Sequence, residues 1–368
     1  MNSIRIGVVL LAVTCGAAHA QTKIRVTPEP SLSIGLMDGP EGYLFQFVAA
    51  GAFLGSDRIV VGDRGTHTIR IFDARGRLLA ESGGEGGGPA EFRYIDSIWV
   101  HGDTVLVHDP VARKTVRFNA DGAFLSSEPS RDGMTRLPGR GVGDDVWGTR
   151  LTGSVPSATR GLTRDAHLVQ LHRRGEAVAT IERLTGLWRV AGSPYPFSPS
   201  FQAVVVRDSL VVLDPTAARL RLFGRNGVSA RAVTVPADAV PYREAKLALE
   251  HALETRDIRN APPDLLQRLR NLPEVSELPR LSHMLVDDRD RIWVKQYDPA
   301  EDAHWLGGWA GPEGGDWWVV NLATSRSLRV RMPDGVFPLA IEHDRLLGRH
   351  RDEYGVQRVV VYRLGVTP

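Results

Sequence analysis

The chain has 368 residues, 42% of them hydrophobic and 24% charged, ordinary proportions for a globular protein. Lys+Arg 45 against Asp+Glu 43 leaves a net charge of +2, too weak a field to recruit nucleic acid or an anionic membrane. The single cysteine, Cys15, excludes a disulfide scaffold, an iron–sulfur site and a Cys-ligated zinc site.

Met1–Ala20 reads as a secretory signal. Arg5 supplies the positive start, Ile6–Val13 the apolar run, and Ala18-His19-Ala20 the small-x-small pattern for cleavage after Ala20. The run is too short for a transmembrane anchor. Ala12 and Thr14 stand where a lipobox around Cys15 wants Leu and a small residue. Cleavage removes Arg5 and no acid, so residues 21–368 carry +1 and no cysteine, which suits an oxidising compartment. A periplasmic or extracellular location follows, with no membrane span in the remainder.

Three segments superpose without gaps: Arg58–Gly83, Thr104–Pro129 and Ser209–Thr234. Each opens with an apolar run and reaches an aspartate (Asp63, Asp109, Asp214). Nine residues on comes an aromatic (Phe72, Phe118, Phe223), and four further a glycine (Gly76, Gly122, Gly227). Period-2 alternation marks half-buried strands, and Asp-Ala-Arg-Gly and Asn-Ala-Asp-Gly are tight turns. The aspartate is expected to cap the turn into the next strand. A four-stranded meander cannot bury both faces alone, so copies must stack radially, as in a β-propeller.

More degenerate copies follow. Asp145-Val146-Trp147-Gly148 and His167–His172, with Arg174-Gly175, make a third blade. Asp238–Pro273 reads as a helical insertion between blades four and five, with Tyr242, Ala245, Leu249 and Leu253 on one face and a second short helix at Leu265–Leu272. It is either a lid or partner-docking element or an inert cover. Met284–Tyr297 and Trp317–Met332 form the fifth blade. Leu339–Ile341, Arg345–Leu347 and Val359–Leu364 give the sixth only three strands, so Lys23–Thr27 is expected to supply the fourth and close the ring. The fold class is therefore all-β, a single six-bladed β-propeller over 21–368, with roughly 52 residues per blade.

The connector Gly83–Phe92 with Ile98-Trp99-Val100 resembles the glycine-rich link between blades of NHL-type six-bladed propellers. Leu278-Pro279-Arg280 and Leu285–Val294 are similar to a blade motif of secreted bacterial members of that group, mostly of unknown function. The usual turn glycine is replaced here by Arg289-Asp290. Propellers of this kind include lactonases and lyases, and the resemblance implies that any calcium or zinc ligands would come from scattered blades around the channel. Fold analogy does not transfer activity.

Gly83–Gly88 is followed by neither Gly-Lys-Ser/Thr nor a helix, so it reads as a connector and not a phosphate cradle. Asp287-Asp288-Arg289-Asp290 lacks the glycine and distal glutamate of an EF-hand and reads as a turn. Gly-x-Ser-x-Gly and His-Glu-x-x-His do not occur. Asp96, Gln202 and His283 fall where inner strands begin at the channel, with Arg93 and Arg280 nearby; His283 and Asp96 are the weak catalytic candidates. No cofactor or metal site is expected from the motifs; a divalent metal in the channel belongs to the enzymatic alternative.

Trp188, Tyr195 and Phe197 lie in a Pro-rich excursion (Leu184–Ser200), and Trp305 and Trp309 in a Gly-rich one (Asp298–Asp316), near Arg189, His304 and Glu313. Such rings stack on a sugar or a peptide side chain; the other reading, to which the balance leans, packs them between blades or under the insertion. The expected function is a monomeric, secreted or periplasmic binding or scaffold module for a protein, peptide or glycan ligand, those five rings being its candidate contacts. The alternatives are a metal-dependent lactonase- or lyase-like enzyme and a purely structural envelope component.

Overall fold

The alternating runs form six sheets around one axis. The computed structural model describes residues 23–130, 134–141, 145–173, 176–255, 265–303, 313–352 and 354–367. The expected signal Met1–Ala20, Arg174-Gly175 and the Ala261-Pro262-Pro263 break lie outside them. Blade one comprises Val48–Leu54, Arg58–Asp63, Thr68–Asp73 and Leu78–Gly83, paired in order as an antiparallel meander. Blade two runs from Ser97–His101 to Phe124–Pro129, blade four from Ala203–Arg207 to Ser229–Thr234, and blade five from Leu281–Val286 to Arg326–Met332. The first strand of blade one packs against those of blades two and six, which places the first strands around the axis.

The repeat aspartate does more than cap one turn. Asp63, fully buried, accepts from Gly65 N in the turn and also from Gln46 N and Phe47 N of the segment entering the blade, at 2.8–2.9 Å. Asp109 accepts from Ala112 N, Arg93 N and Tyr94 N in the same way. One carboxylate thus fixes a turn and the start of an inner strand, satisfying N–H groups that no ladder reaches. Asp287 also holds a turn, accepting from the Arg289 and Arg291 amides and from the Trp293 indole. Asp290 takes the left-handed conformation there (φ 60°) in place of glycine. The glycine-rich stretch folds back on itself through a Glu85–Phe92 bridge, and a side chain at Gly83 would meet the His67 carbonyl at 2.8 Å.

Closure follows the expected route with one addition. Blade six is Val336–Glu342, Arg345–Arg351 and Gln357–Thr367. Lys23–Val26 pairs antiparallel with the last of these, Lys23 opposite Thr367 and Val26 opposite Leu364. Leu32–Ile34 then pairs with Val359–Val361 on the same edge.

Blade three departs from the repeat. Its strands Asp145–Pro156, Leu162–Arg173 and Glu176–Val190 are two to three times the usual length. The expected Leu184–Ser200 loop is therefore corrected: Trp188 lies in a strand, and the turn comes at Ala191-Gly192. Before this blade, Gly139–Gly141 crosses to pair parallel with Val205–Arg207 on the channel side of blade four. Only glycine fits at Gly139, since a Cβ there would lie 2.2 Å from the Val205 carbonyl oxygen.

The insertion forms helices Tyr242–Thr255 and Leu265–Arg270 between blades four and five. Because each blade is an antiparallel meander, blade-to-blade connectors and second-to-third-strand turns emerge on one face. The insertion, the 157–161 turn and the loop after Gln296 all lie there. Among the described residues no helix is long and apolar enough to cross a membrane.

Candidate functional site

The sequence-predicted rings divide sharply. Trp188, Tyr195 and Phe197 are 4%, 0% and 0% exposed, which corrects their assignment as ligand contacts. They form a core with Leu162, Ala245, Leu249, Leu269, Val275, Leu278 and Ala303, joining blade three, both helices and blade five. Tyr195 and Phe197 meet edge to face at 5.9 Å, as do Phe197 and Tyr242 at 5.8 Å. The Tyr195 hydroxyl donates to the Pro273 carbonyl at 2.7 Å. Arg189, expected beside a ligand, is held by Asp165 through Nε and Nη2 at 2.7 and 2.9 Å. Trp305, Trp309 and His304 lie outside the described residues.

A second set of rings gathers at the channel mouth, where the inner strands begin. Phe47 precedes blade one, Tyr94 precedes blade two and Phe337 opens the inner strand of blade six; all three are half-buried. Arginines are interleaved with them. The Arg64 guanidinium lies 3.8 Å from the Tyr94 ring centroid and 4.9 Å from that of Phe47. Arg349 lies 5.6 Å from Phe47 and 4.9 Å from Phe337. His283 continues the series, 5.0 Å from Phe337 and 6.0 Å from Trp317. Cations on ring faces are attractive, more so away from water.

Arg349 is 2% exposed. Its Nη1 donates to the Val48 carbonyl at 2.9 Å, while Nε and Nη2 are buried with no hydrogen-bond partner among the described residues. Burial pulls this guanidinium down to about 10; Glu313 opposes that shift, and Arg351 and Arg64 add to it. Beside it, Lys295 pairs with Asp302 in the interior. Burial raises the Asp302 carboxyl despite that lysine, and holds the nearby Tyr297 phenol well above its ordinary value. The Tyr297 hydroxyl is likewise buried without a hydrogen-bond partner among the described residues.

Burial also pulls the His283 imidazole down to about 4, with Lys295 and Arg349 contributing. It is neutral at physiological pH. A divalent metal fits this setting poorly, because the charged neighbours of His283 are cations. Asp96 is exposed on blade two, where Arg64, Tyr94 and His108 feel its charge. Gln202 is half-buried and accepts from Leu213 N through its carbonyl. Among the described residues no group of three or more His, Cys, Asp or Glu side chains is placed to hold a metal ion.

Phe47, Arg64, Tyr94, Phe337 and Arg349 were not singled out by sequence reasoning. One signal existed for the last: strand alternation puts Arg349 on the side of Leu347, which is fully buried, so an arginine occupies a core position.

A family model described as a six-bladed β-propeller, DUF5128, matches residues 47–132, which span blades one and two. No curated protein matches the chain by sequence. Among solved structures, a Bacteroides fragilis protein designated as exported is 12% identical, with 94% of this chain and 96% of that one covered at a TM-score of 0.55. A member of the DUF4221 family from Bacteroides vulgatus is 11% identical, covering 94% and 99% at 0.54. These likenesses agree with the six-bladed fold that the connector and the blade-five motif suggest. A streptogramin B lyase reaches only 0.44, with 9% identity over 94% and 98%, and carries no inference about chemistry.

Proposed function

We propose that the protein acts outside the cytoplasm as a binding module, released by cleavage after Ala20, with the channel mouth on its loop-rich face as the contact surface. The Bacteroides fragilis protein of the same fold is designated as exported, and the leader-like start of this chain agrees with that. One observation carries the reading. Half-buried rings and guanidiniums alternate across blades five, six, one and two, and Arg349 leaves two buried donors unused. A propeller needs no such feature to close, and buried polar groups without partners are rare. Clusters of this composition contact peptides and glycans by stacking and charge-assisted hydrogen bonds.

Peptide and glycan arrays probed with the mature chain test this. Captured ligands are expected to be lost with Tyr94→Ala and Arg64→Ala and retained with Leu79→Ser, a change at an exposed residue of the outer strand of blade one. Binding unaffected by the mouth substitutions would refute the assignment.

A further inference from the structure

We infer that the mouth recognises an organic anion, a carboxylate on a planar apolar body, with its two oxygens on Nε and Nη2 of Arg349 and its body against Phe337 and Phe47. The inference rests on the binding reading and names the ligand class. Nε–H and Nη2–H of an arginine point the same way and form the fork that takes both oxygens of a carboxylate. In Arg349 it is this edge that has no partner, the third nitrogen being used on Val48. The same chain shows the edge filled elsewhere: Nε and Nη2 of Arg189 hold Asp165 Oδ1 and Oδ2 at 2.7 and 2.9 Å.

The surroundings select the rest of the ligand. Phe47 and Phe337 lie over the guanidinium, and both stay partly exposed, which leaves apolar surface for a flat body. Arg64 and Arg351 face Arg349 and add positive potential; Glu313 faces it as a carboxylate that does not occupy the open edge. Lys295 is committed to Asp302, and His283 is neutral and offers a ring. The whole chain is near neutrality, so this concentration of cations is local and sets the sign of the ligand.

Benzoate is a direct probe, with benzamide as its neutral shape-mate and acetate as a carboxylate without a ring. In protein carrying 15N-labelled arginine, the Arg349 Nε–H resonance, identified by its absence in Arg349→Lys, is expected to shift on titration with benzoate. Benzamide and acetate should bind at least tenfold more weakly. Arg349→Lys should weaken benzoate at least tenfold, and Glu313→Gln, which removes the internal competitor, should tighten it severalfold. Should Arg349→Lys fail to fold, Arg349→Met identifies the Nε resonance instead, and Arg64→Gln at the rim is expected to weaken benzoate about threefold. If benzamide matches benzoate while Phe47 and Phe337 signals respond to both, the anion inference fails and the binding reading survives. An Arg349 Nε signal unmoved by benzoate overturns the inference, leaving the arrays to judge the binding reading.

Discussion

Under the insertion, Trp188, Tyr195 and Phe197 are buried in a core that both helices and Ala303 complete. Across the same face, Phe47, Tyr94 and Phe337 keep part of their surface in water and take guanidiniums as neighbours. The residue types are alike, and each set has one ring next to an arginine in the sequence, Trp188 by Arg189 and Tyr94 by Arg93. What separates them is cover. The long hairpins of blade three carry their rings up to the insertion, which needs an apolar floor for Ala245 and Leu249, whereas the mouth rings stand where inner strands begin and stay partly exposed. The first set contributes folding energy; the second is where binding is proposed.

Truncations should separate the two groups. Phe197→Ala is expected to cost about 3–5 kcal/mol, the range for a fully buried aromatic, against less than about 1.5 kcal/mol for Phe47→Ala, both read from denaturant midpoints. Equal losses would erase the distinction. Tyr195→Phe sharpens it by removing only the hydroxyl bonded to Pro273, at about 1 kcal/mol. Arg349→Met should stay within about 1 kcal/mol of the parent, because a buried guanidinium with an unfilled edge is replaced by an apolar chain of similar length; a large loss would mean that the arginine holds the blade.

A last test uses pH. His283 stays neutral in the folded protein down to about 4, while the unfolded chain takes up a proton below about 6.5. Between these values the unfolded state binds more protons, so stability falls as pH drops from about 6.5 to 4 and is flat above. His283→Gln should remove that part of the slope in thermal melts; an unchanged slope would place the titration elsewhere.

Much of the ring was legible because it is written in local chemistry. The Asp–aromatic–Gly offsets of blades one, two and four became strands and turns as read, and Lys23–Thr27 found the last strand. The double use of Asp63 and Asp109 was invisible, since their second partners lie 15–17 residues upstream in the connector. Blade three was misread because its proline and glycine residues signal a loop, while pairing with Leu162–Arg173 holds the segment extended. The glycine strand 139–141 carries no periodicity that announces it.

The sequence by itself determined the blade meander, the number of copies and the shared terminal sheet, because alternation, turn glycines and capping carboxylates act within some thirty residues. Only the tertiary structure decided which aromatic groups are core and which face the channel, and that Arg349 lies in the interior with an open edge. Those properties depend on what arrives from other blades, and burial is a sum over neighbours distant in the chain.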